Sequence, residues 1–185
     1  MTDIITQLKN PKTVNYQRLK KDILSDQFTW YYNSSVNYKE NGLLKNQKIP
    51  VPYNEIPFFS HSVIGRPLPG HNYSTIRDKY ISEFQKVFDE IFSYNKLELN
   101  CFYRMNVNLV QPTKDQLKIP FHTDHPWPHK NILIYLTNAG GETICEDESF
   151  NPSEDDIITF SGYPERHCHK TPIEKNRIVI VATYI

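Results

Sequence analysis

Hydrophobic positions recur along the chain in two textures, and the change between them falls near Asn95. Before it, Tyr16, Leu19, Ile23 and Leu24 stand at helical spacing,. A longer stripe of Tyr80, Ile81, Phe84, Val87, Phe88, Ile91 and Phe92 predicts an amphipathic helix that starts near Ser74 or Thr75 as N-cap and packs one face on a sheet,. The proline-rich stretch from Pro50 to Pro69 reads as a wrapping loop,. After Asn95 the period shortens to two in the runs CFYRMNVNLV, IPFHTD, NILIYLT, ETIC, DIITF, RHCH and RIVIVATYI, separated by Pro, Gly, Asn and Asp,. About seven short strands closing one domain predict a sandwich or jelly roll whose interior can hold a ligand near one mouth. The expected architecture is therefore mainly β with supporting α-helices. A single domain spans 1–185, with helical and irregular support over 1–100 and the strand-rich core over 101–185.

Composition narrows the classes. A chain of 185 residues with 38% apolar and 23% charged side chains has ordinary globular usage, which excludes a disordered chain or a coiled coil,. Lys and Arg total 21, as do Asp and Glu, so no global cationic field gathers polyanions, and neither nucleic acid nor a membrane is an expected partner,. Cys101, Cys145 and Cys168 are odd in number and too far apart for paired metal knuckles or a dense disulfide framework, which suits a reducing compartment,. The start MTDIITQLKNPK lacks the basic and apolar regions of a secretory signal, so a cytoplasmic location is expected,. The acidic run EDESFNPSEDD reads as a solvated hairpin end, and His61 and His71 as ordinary structural or surface histidines,.

Candidate chemistry gathers in two places. In IPFHTDHPWPHK, His122 and Asp124 are two residues apart, which on a strand puts both side chains on one face,. A lone His-x-Asp is a weak signal, but GYPERHCHKTPIEKNRIVIV adds His167 and His169, with Arg177 ten residues after His167 at the head of an apolar strand. Two imidazoles and a carboxylate suit a facial triad on Fe(II) that leaves positions open for a bidentate co-substrate and oxygen. A buried Arg nearby can clamp a remote carboxylate through two parallel hydrogen bonds.

These residues, in the order HTD, NILIYLTN, GGET, DIITF, His and RIVIVATY, resemble the iron(II)- and 2-oxoglutarate-dependent dioxygenases, and within them the prolyl-hydroxylase branch. The match covers about residues 101–185. It implies a double-stranded β-helix core of the jelly-roll, cupin-like kind, with Fe(II), 2-oxoglutarate and O2 as the reacting set. Carried onto this chain, it makes His122, Asp124 and His167 the iron ligands, with His169 the alternative third ligand. Arg177 becomes the partner of the 2-oxoglutarate C5 carboxylate and Tyr135 the second co-substrate residue, while Tyr103, Asn106 and Asn108 line the pocket by a looser match. The stiff loop carrying His125, Trp127 and His129 either contacts substrate or caps the barrel.

The resemblance implies hydroxylation of a C–H bond, since Asp124 keeps the carboxylate that halogenating relatives replace. The substrate is a prolyl or other residue in a polypeptide, or a free amino acid or similar small molecule. Two rival readings stand beside it. A nucleic-acid N-demethylase of the same superfamily carries a second Arg six after the first, where this chain has Thr183. A non-catalytic jelly-roll binding module would keep the same His and Asp residues as satisfied polar groups or a structural zinc site.

Overall fold

The computed structural model describes residues 4–34, 56–67 and 73–185. Its elements run β1 (Ile5–Leu8), α1 (Val14–Ile23), β2 (Tyr31–Asn33), β3 (Phe58–Gly65), β4 (Thr75–Ile76), α2 (Ile81–Asn95), β5 (Phe102–Val110), β6 (Lys130–Tyr135), β7 (Thr143–Cys145), β8 (Glu148–Phe150), β9 (Ile157–Ser161), β10 (His167–His169) and β11 (Arg177–Tyr184). A large antiparallel sheet has the order β1-β9-β6-β11-β5-β3-β2, with β4 on β3, and faces a smaller sheet of order β10-β7-β8. Single bridges from Lys118 to Lys170 and from His122 to His167 lay residues 118–122 beside β10. The two sheets make a double-stranded β-helix, a jelly roll with two supporting helices.

Alternation along β11 sorts the core into layers. Ile178, Ile180, Ala182 and Tyr184 turn outward onto the helices, where they meet Met105, Val107, Ile132 and Ile134 and the buried stripe of α2,. Burying Phe84, Val87, Phe88, Ile91 and Phe92 of α2 contributes on the order of 10 kcal/mol,. The opposite residues of the large sheet turn toward the small one. There Ile5, Leu133, Tyr135, Ile158, Phe160 and Val179 pack with Cys145 of β7. Because both faces of β6 are covered, it reads as a continuous apolar run rather than an alternating one,.

Several elements depart from the expectation. The amphipathic helix begins at Ile81, not at Ser74 or Thr75: Asp78 accepts from the Tyr80 and Ile81 amides and starts the turn, while Thr75 and Ile76 pair with β3. Tyr80 is therefore exposed ahead of the stripe. The first hundred residues supply four strands as well as helices, so they extend the sheet itself. Within the proline-rich stretch, Phe58–Gly65 is not loop but the strand beside β5, and residues 50–55 and 68–69 lie outside the described residues, as does His71. IPFHTD forms a single bridge, at His122, whereas Glu148–Phe150 of the acidic run forms β8.

That run is also less solvated than expected. Glu148 accepts from the Ile4 and Ile5 amides, and Asp155 holds the Tyr16 hydroxyl at 2.6 Å and the Lys12 ammonium at 3.0 Å, with Lys20 beside them. Burial, with Asp155 second, pushes the Tyr16 hydroxyl up. The acidic side chains thus fasten β1 and α1 to the turn between β8 and β9. No helix among the described residues is long and apolar enough to cross a membrane, and Cys101, Cys145 and Cys168 are free.

Candidate functional site

Register places the site between the sheets. Direct cross-strand partners share a face, so the interior of the large sheet presents three rows: Ser60, Asn108, Val179 and Tyr135; then Ser62, Asn106, Val181 and Leu133; then Arg104, Thr183, Asn131 and Phe160. Opposite them, β10 alternates as expected. Cys168 turns outward to Ile56, Ile119 and Ile144, and His167 and His169 turn inward.

His122 and His167 are joined by reciprocal backbone hydrogen bonds of 2.9 Å, and their rings lie 4.4 Å apart. His122 donates Nδ1–H to the Pro120 carbonyl at 3.1 Å, which leaves Nε2 as its free lone pair,. Asp124 lies in a bend beyond the bridge, so tertiary packing and not strand alternation brings it to His167, with Oδ2 3.5 Å from Nε2. Its other oxygen, Oδ1, accepts from Arg66 Nη2 at 3.0 Å and from Arg104 Nη1, and its backbone carbonyl accepts from Arg66 Nη1 at 2.7 Å.

Charge states follow from these surroundings. Burial alone would raise the Asp124 carboxyl, but the Arg104 guanidinium first, then His167 and Arg66, outweigh it and hold Asp124 well below the usual carboxylate range. Burial, with His122 next to it, pushes His167 down to about 3, and burial lowers His122 as well. At neutral pH the cluster is one carboxylate with two neutral imidazoles.

A second cluster surrounds Arg177, which is 3% exposed. Its Nη2 donates to Thr143 Oγ1 at 3.1 Å, its guanidinium lies 5.2 Å from the centre of the Tyr135 ring, and its Nε has no hydrogen-bond partner. Tyr135 OH and Thr143 Oγ1 share a hydrogen bond of 2.7 Å. Gly141 permits this packing: at φ +81° a Cβ there would meet the Lys170 carbonyl at 2.7 Å and Arg177 Cδ at 3.2 Å,. His169 belongs to this cluster. Its Nε2 is buried without a partner, and burial followed by the Arg177 charge drives its pKa well below the ordinary value.

A third group closes the barrel end. His125 stacks on Trp127 at 4.9 Å, and its Nε2 pairs with Thr183 Oγ1 at 2.9 Å. Burial pushes His125 down to about 3, so its imidazole is neutral. His129 donates Nδ1–H to the Trp127 carbonyl at 2.7 Å. His125 and His129 are buried, so the loop is an inward-packed plug and not an exposed wall.

One expectation needs correction. Tyr103 packs on His125 and Trp127, seven residues along β5 from Val110, the partner of Arg177. At about 3.4 Å per residue it is on the order of 20 Å from the Arg177 end and lines no co-substrate pocket there. Arg104, absent from the expected set, shares the inward face with Asn106 and Asn108 by strand alternation, while a register slip at Tyr103 turns its ring onto the plug residues. Thr143, inside the quoted GGET, and Arg66, beyond the end of β3, were also missed. The Thr143 signal was the turn motif itself, but Arg66 carried none.

Among the described residues, no three His, Cys, Asp or Glu side chains converge closely enough to hold a metal ion as they stand. The donor types nevertheless fit one: two neutral imidazoles and an ionised carboxylate are neighbours in space, and one oxygen of that carboxylate carries both guanidinium bonds,. The orphaned Nε of a buried guanidinium likewise fits a carboxylate,.

No family model matches the sequence, and no curated protein is similar to it at the sequence level. Solved structures are. An oxidoreductase of the 2OG-Fe(II) oxygenase family from Burkholderia pseudomallei aligns over 98% of this chain and 84% of its own, with a TM-score of 0.65 at 15% identity. A viral collagen prolyl hydroxylase from Paramecium bursaria Chlorella virus-1, solved with 2OG, aligns over 69% of this chain and 78% of its own, with 0.46 at 16% identity. A prolyl hydroxylase from Trichoplax adhaerens, solved with a peptide fragment, aligns over 66% and 70%, with 0.43 at 15% identity. The last two are partial likenesses only. The first spans nearly the whole chain, and the protein thereby shares that structure's double-stranded β-helix fold.

Proposed function

We propose that the chain is an Fe(II)- and 2-oxoglutarate-dependent oxygenase that hydroxylates a C–H bond of a prolyl or other residue in a polypeptide, or of a free amino acid or similar small molecule. The observation that carries this reading is the buried Arg177, whose Nε has no partner in the protein. Enclosing a guanidinium in an apolar strand costs several kcal/mol unless an anion completes its bonding, and a bound dicarboxylate is such an anion.

His122, Asp124 and His167 would hold the metal, while His169, paired across the strands with the Thr143 that bonds Arg177, would stand on the co-substrate side. The bound metal, 2-oxoglutarate and O2 supply the oxidising chemistry, yielding succinate and CO2 with the hydroxylated product. The chain's own residues bind and orient. The Pro120 carbonyl fixes the His122 tautomer, as supporting hydrogen bonds do for ligands generally, and Arg66 with Arg104 orients the Asp124 carboxylate before metal binds,. Arg177 and Thr143 bind the far carboxylate of the co-substrate, and Tyr135 keeps the Thr143 hydroxyl in place. The plug of His125, Trp127 and His129 excludes water from that end.

The reading is tested by incubating metal-loaded protein with 2-oxoglutarate, O2, and candidate peptides and amino acids. Succinate formation and a gain of one oxygen in a candidate are expected, both lost in His122→Ala and Asp124→Ala. Undiminished turnover in either variant would overturn the metal assignment. The double ion pair on Asp124 favours one other reading, a non-catalytic binding module whose carboxylate is already neutralised. Failure of the folded protein to take up any divalent metal would favour that reading.

A further inference from the structure

Arg104 on β5 and Arg66 just beyond the end of β3 reach Asp124 from separate segments and bond the same carboxylate oxygen. Their side chains are 39% and 16% exposed and that of Asp124 is 3%, so the guanidiniums stand between the buried carboxylate and solvent. With its amide turned to satisfy both ends, Asn106 accepts from Arg104 Nη2 at 2.9 Å and from Nε at 3.3 Å while donating to the Met105 carbonyl at 2.8 Å. Arg104 is thus oriented from behind as well as drawn forward by Asp124.

We infer that Arg66 and Arg104 form a recognition pair for a carboxylate on the substrate, occupied by Asp124 until that side chain is neutralised by a metal. This deepens the oxygenase reading and rests on it for the metal that does the neutralising. The exchange is one of charge. A divalent cation held by Asp124 would draw on the carboxylate that the guanidiniums now share, and two guanidiniums beside a dication would repel it and each other. A substrate carboxylate entering from the solvent side relieves that repulsion, and planar guanidiniums match its two oxygens. Substrates with a free carboxylate near the reacting carbon, such as an amino acid or a peptide C-terminus, are therefore favoured over neutral internal residues.

The test separates this inference from the metal assignment. Asp124→Asn removes the charge without any metal, so the metal-free variant should already bind carboxylates. Propionate, benzoate and L-proline are each titrated against the matching amide, with Kd and the 15N–1H signals of the arginine side chains as readouts. At least one acid is expected to bind about tenfold more tightly than its amide, the scale of one charge-assisted bond, and to move the Arg66 and Arg104 signals. The preference should vanish when Arg66→Gln or Arg104→Gln is added, while Arg66→Lys, which keeps the charge but not the fork, retains part of it. Equal binding of every acid and amide to Asp124→Asn would overturn the inference, and so would an acid preference untouched by both glutamine changes. Wild-type protein loaded with Zn(II) should gain the preference that metal-free wild type lacks. If Asp124→Asn shows it and the zinc-loaded protein does not, the arginine pair is upheld and the metal assignment fails.

Discussion

Replacing Arg177 with Met separates the cost of a buried charge from its use. In the protein alone, Arg177 has one side-chain hydrogen bond, to Thr143, a cation–π contact with Tyr135 and an orphaned Nε. An unsatisfied buried donor costs about 1–3 kcal/mol, and replacing a buried ionic group by an apolar one of similar volume is often neutral or stabilising. Loss of the contact with Tyr135 offsets part of that gain, and the hydrogen bond between Tyr135 and Thr143 survives,. Without ligand, Arg177→Met is therefore expected to range from equal in stability to about 2 kcal/mol more stable, a rise in Tm of up to roughly 4–8 °C for a chain of this length. With 2-oxoglutarate at about 100 times its Kd and a divalent metal present, wild type gains about 2.7 kcal/mol, and the variant gains almost none. Thermal melts of both proteins with and without ligand give all four values. A variant that melts well below wild type, yet keeps the full 2-oxoglutarate shift, would refute the reasoning on both counts.

Other changes probe the supports. Gly141→Ala places a Cβ 2.7 Å from the Lys170 carbonyl at a φ that side chains rarely adopt, and is expected to cost about 2–4 kcal/mol by denaturant titration and to weaken 2-oxoglutarate binding by displacing Arg177,. Gly162→Ala brings a Cβ 2.2 Å from His129 Nε2 and should loosen the plug, read as a change in Trp127 fluorescence that Gly140→Ala, whose Cβ meets only Asn151 at 3.8 Å, does not produce. Burial raises Asp155, but Lys20, Tyr16 and Lys12 outweigh it and hold its carboxyl below the ordinary value. Its folded pKa is therefore depressed, so its contribution is present above the unfolded carboxylate pKa of about 3.9 and lost as pH falls through the folded value. Asp155→Asn should then lower stability at pH 7 by about 1–2 kcal/mol and flatten the acid loss below about pH 4. An unchanged acid profile would remove Asp155 from the tie between α1 and the sheet.

Legibility in the sequence depended on how far each signal was local. The stripe of α2 and the alternation of β5 and β10 were readable because burial on one face repeats at a fixed period, and β11 because a strand buried on both faces reads as a continuous apolar, β-branched run,. The start of α2 was not, because Asp78 caps it through a tight turn while Thr75 and Ile76 pair with a strand about eleven residues earlier. β3 was hidden by the prolines around it, since its partner β5 lies some forty residues on and no local pattern announces that pairing. The juxtaposition of His122 with His167 followed from their chemistry, but its means did not: a single bridge and a bend replace the expected strand. Arg104 was within reach of strand alternation, which places it with Asn106, whereas the register slip at Tyr103 has no local signal. Arg66 was not, because its meeting with Asp124 spans 58 residues.

The account stands or falls on whether His122, Asp124 and His167 take up a metal beside a 2-oxoglutarate held by Arg177. Anaerobic titration of the full chain with Fe(II) and then 2-oxoglutarate, followed in the visible region, measures this directly. The account predicts a weak charge-transfer band that saturates at one equivalent of each, disappears in His167→Ala and requires much more 2-oxoglutarate in Arg177→Met. Folded wild-type protein that shows no band at saturating Fe(II) and 2-oxoglutarate, or a band that His167→Ala leaves intact, would contradict it.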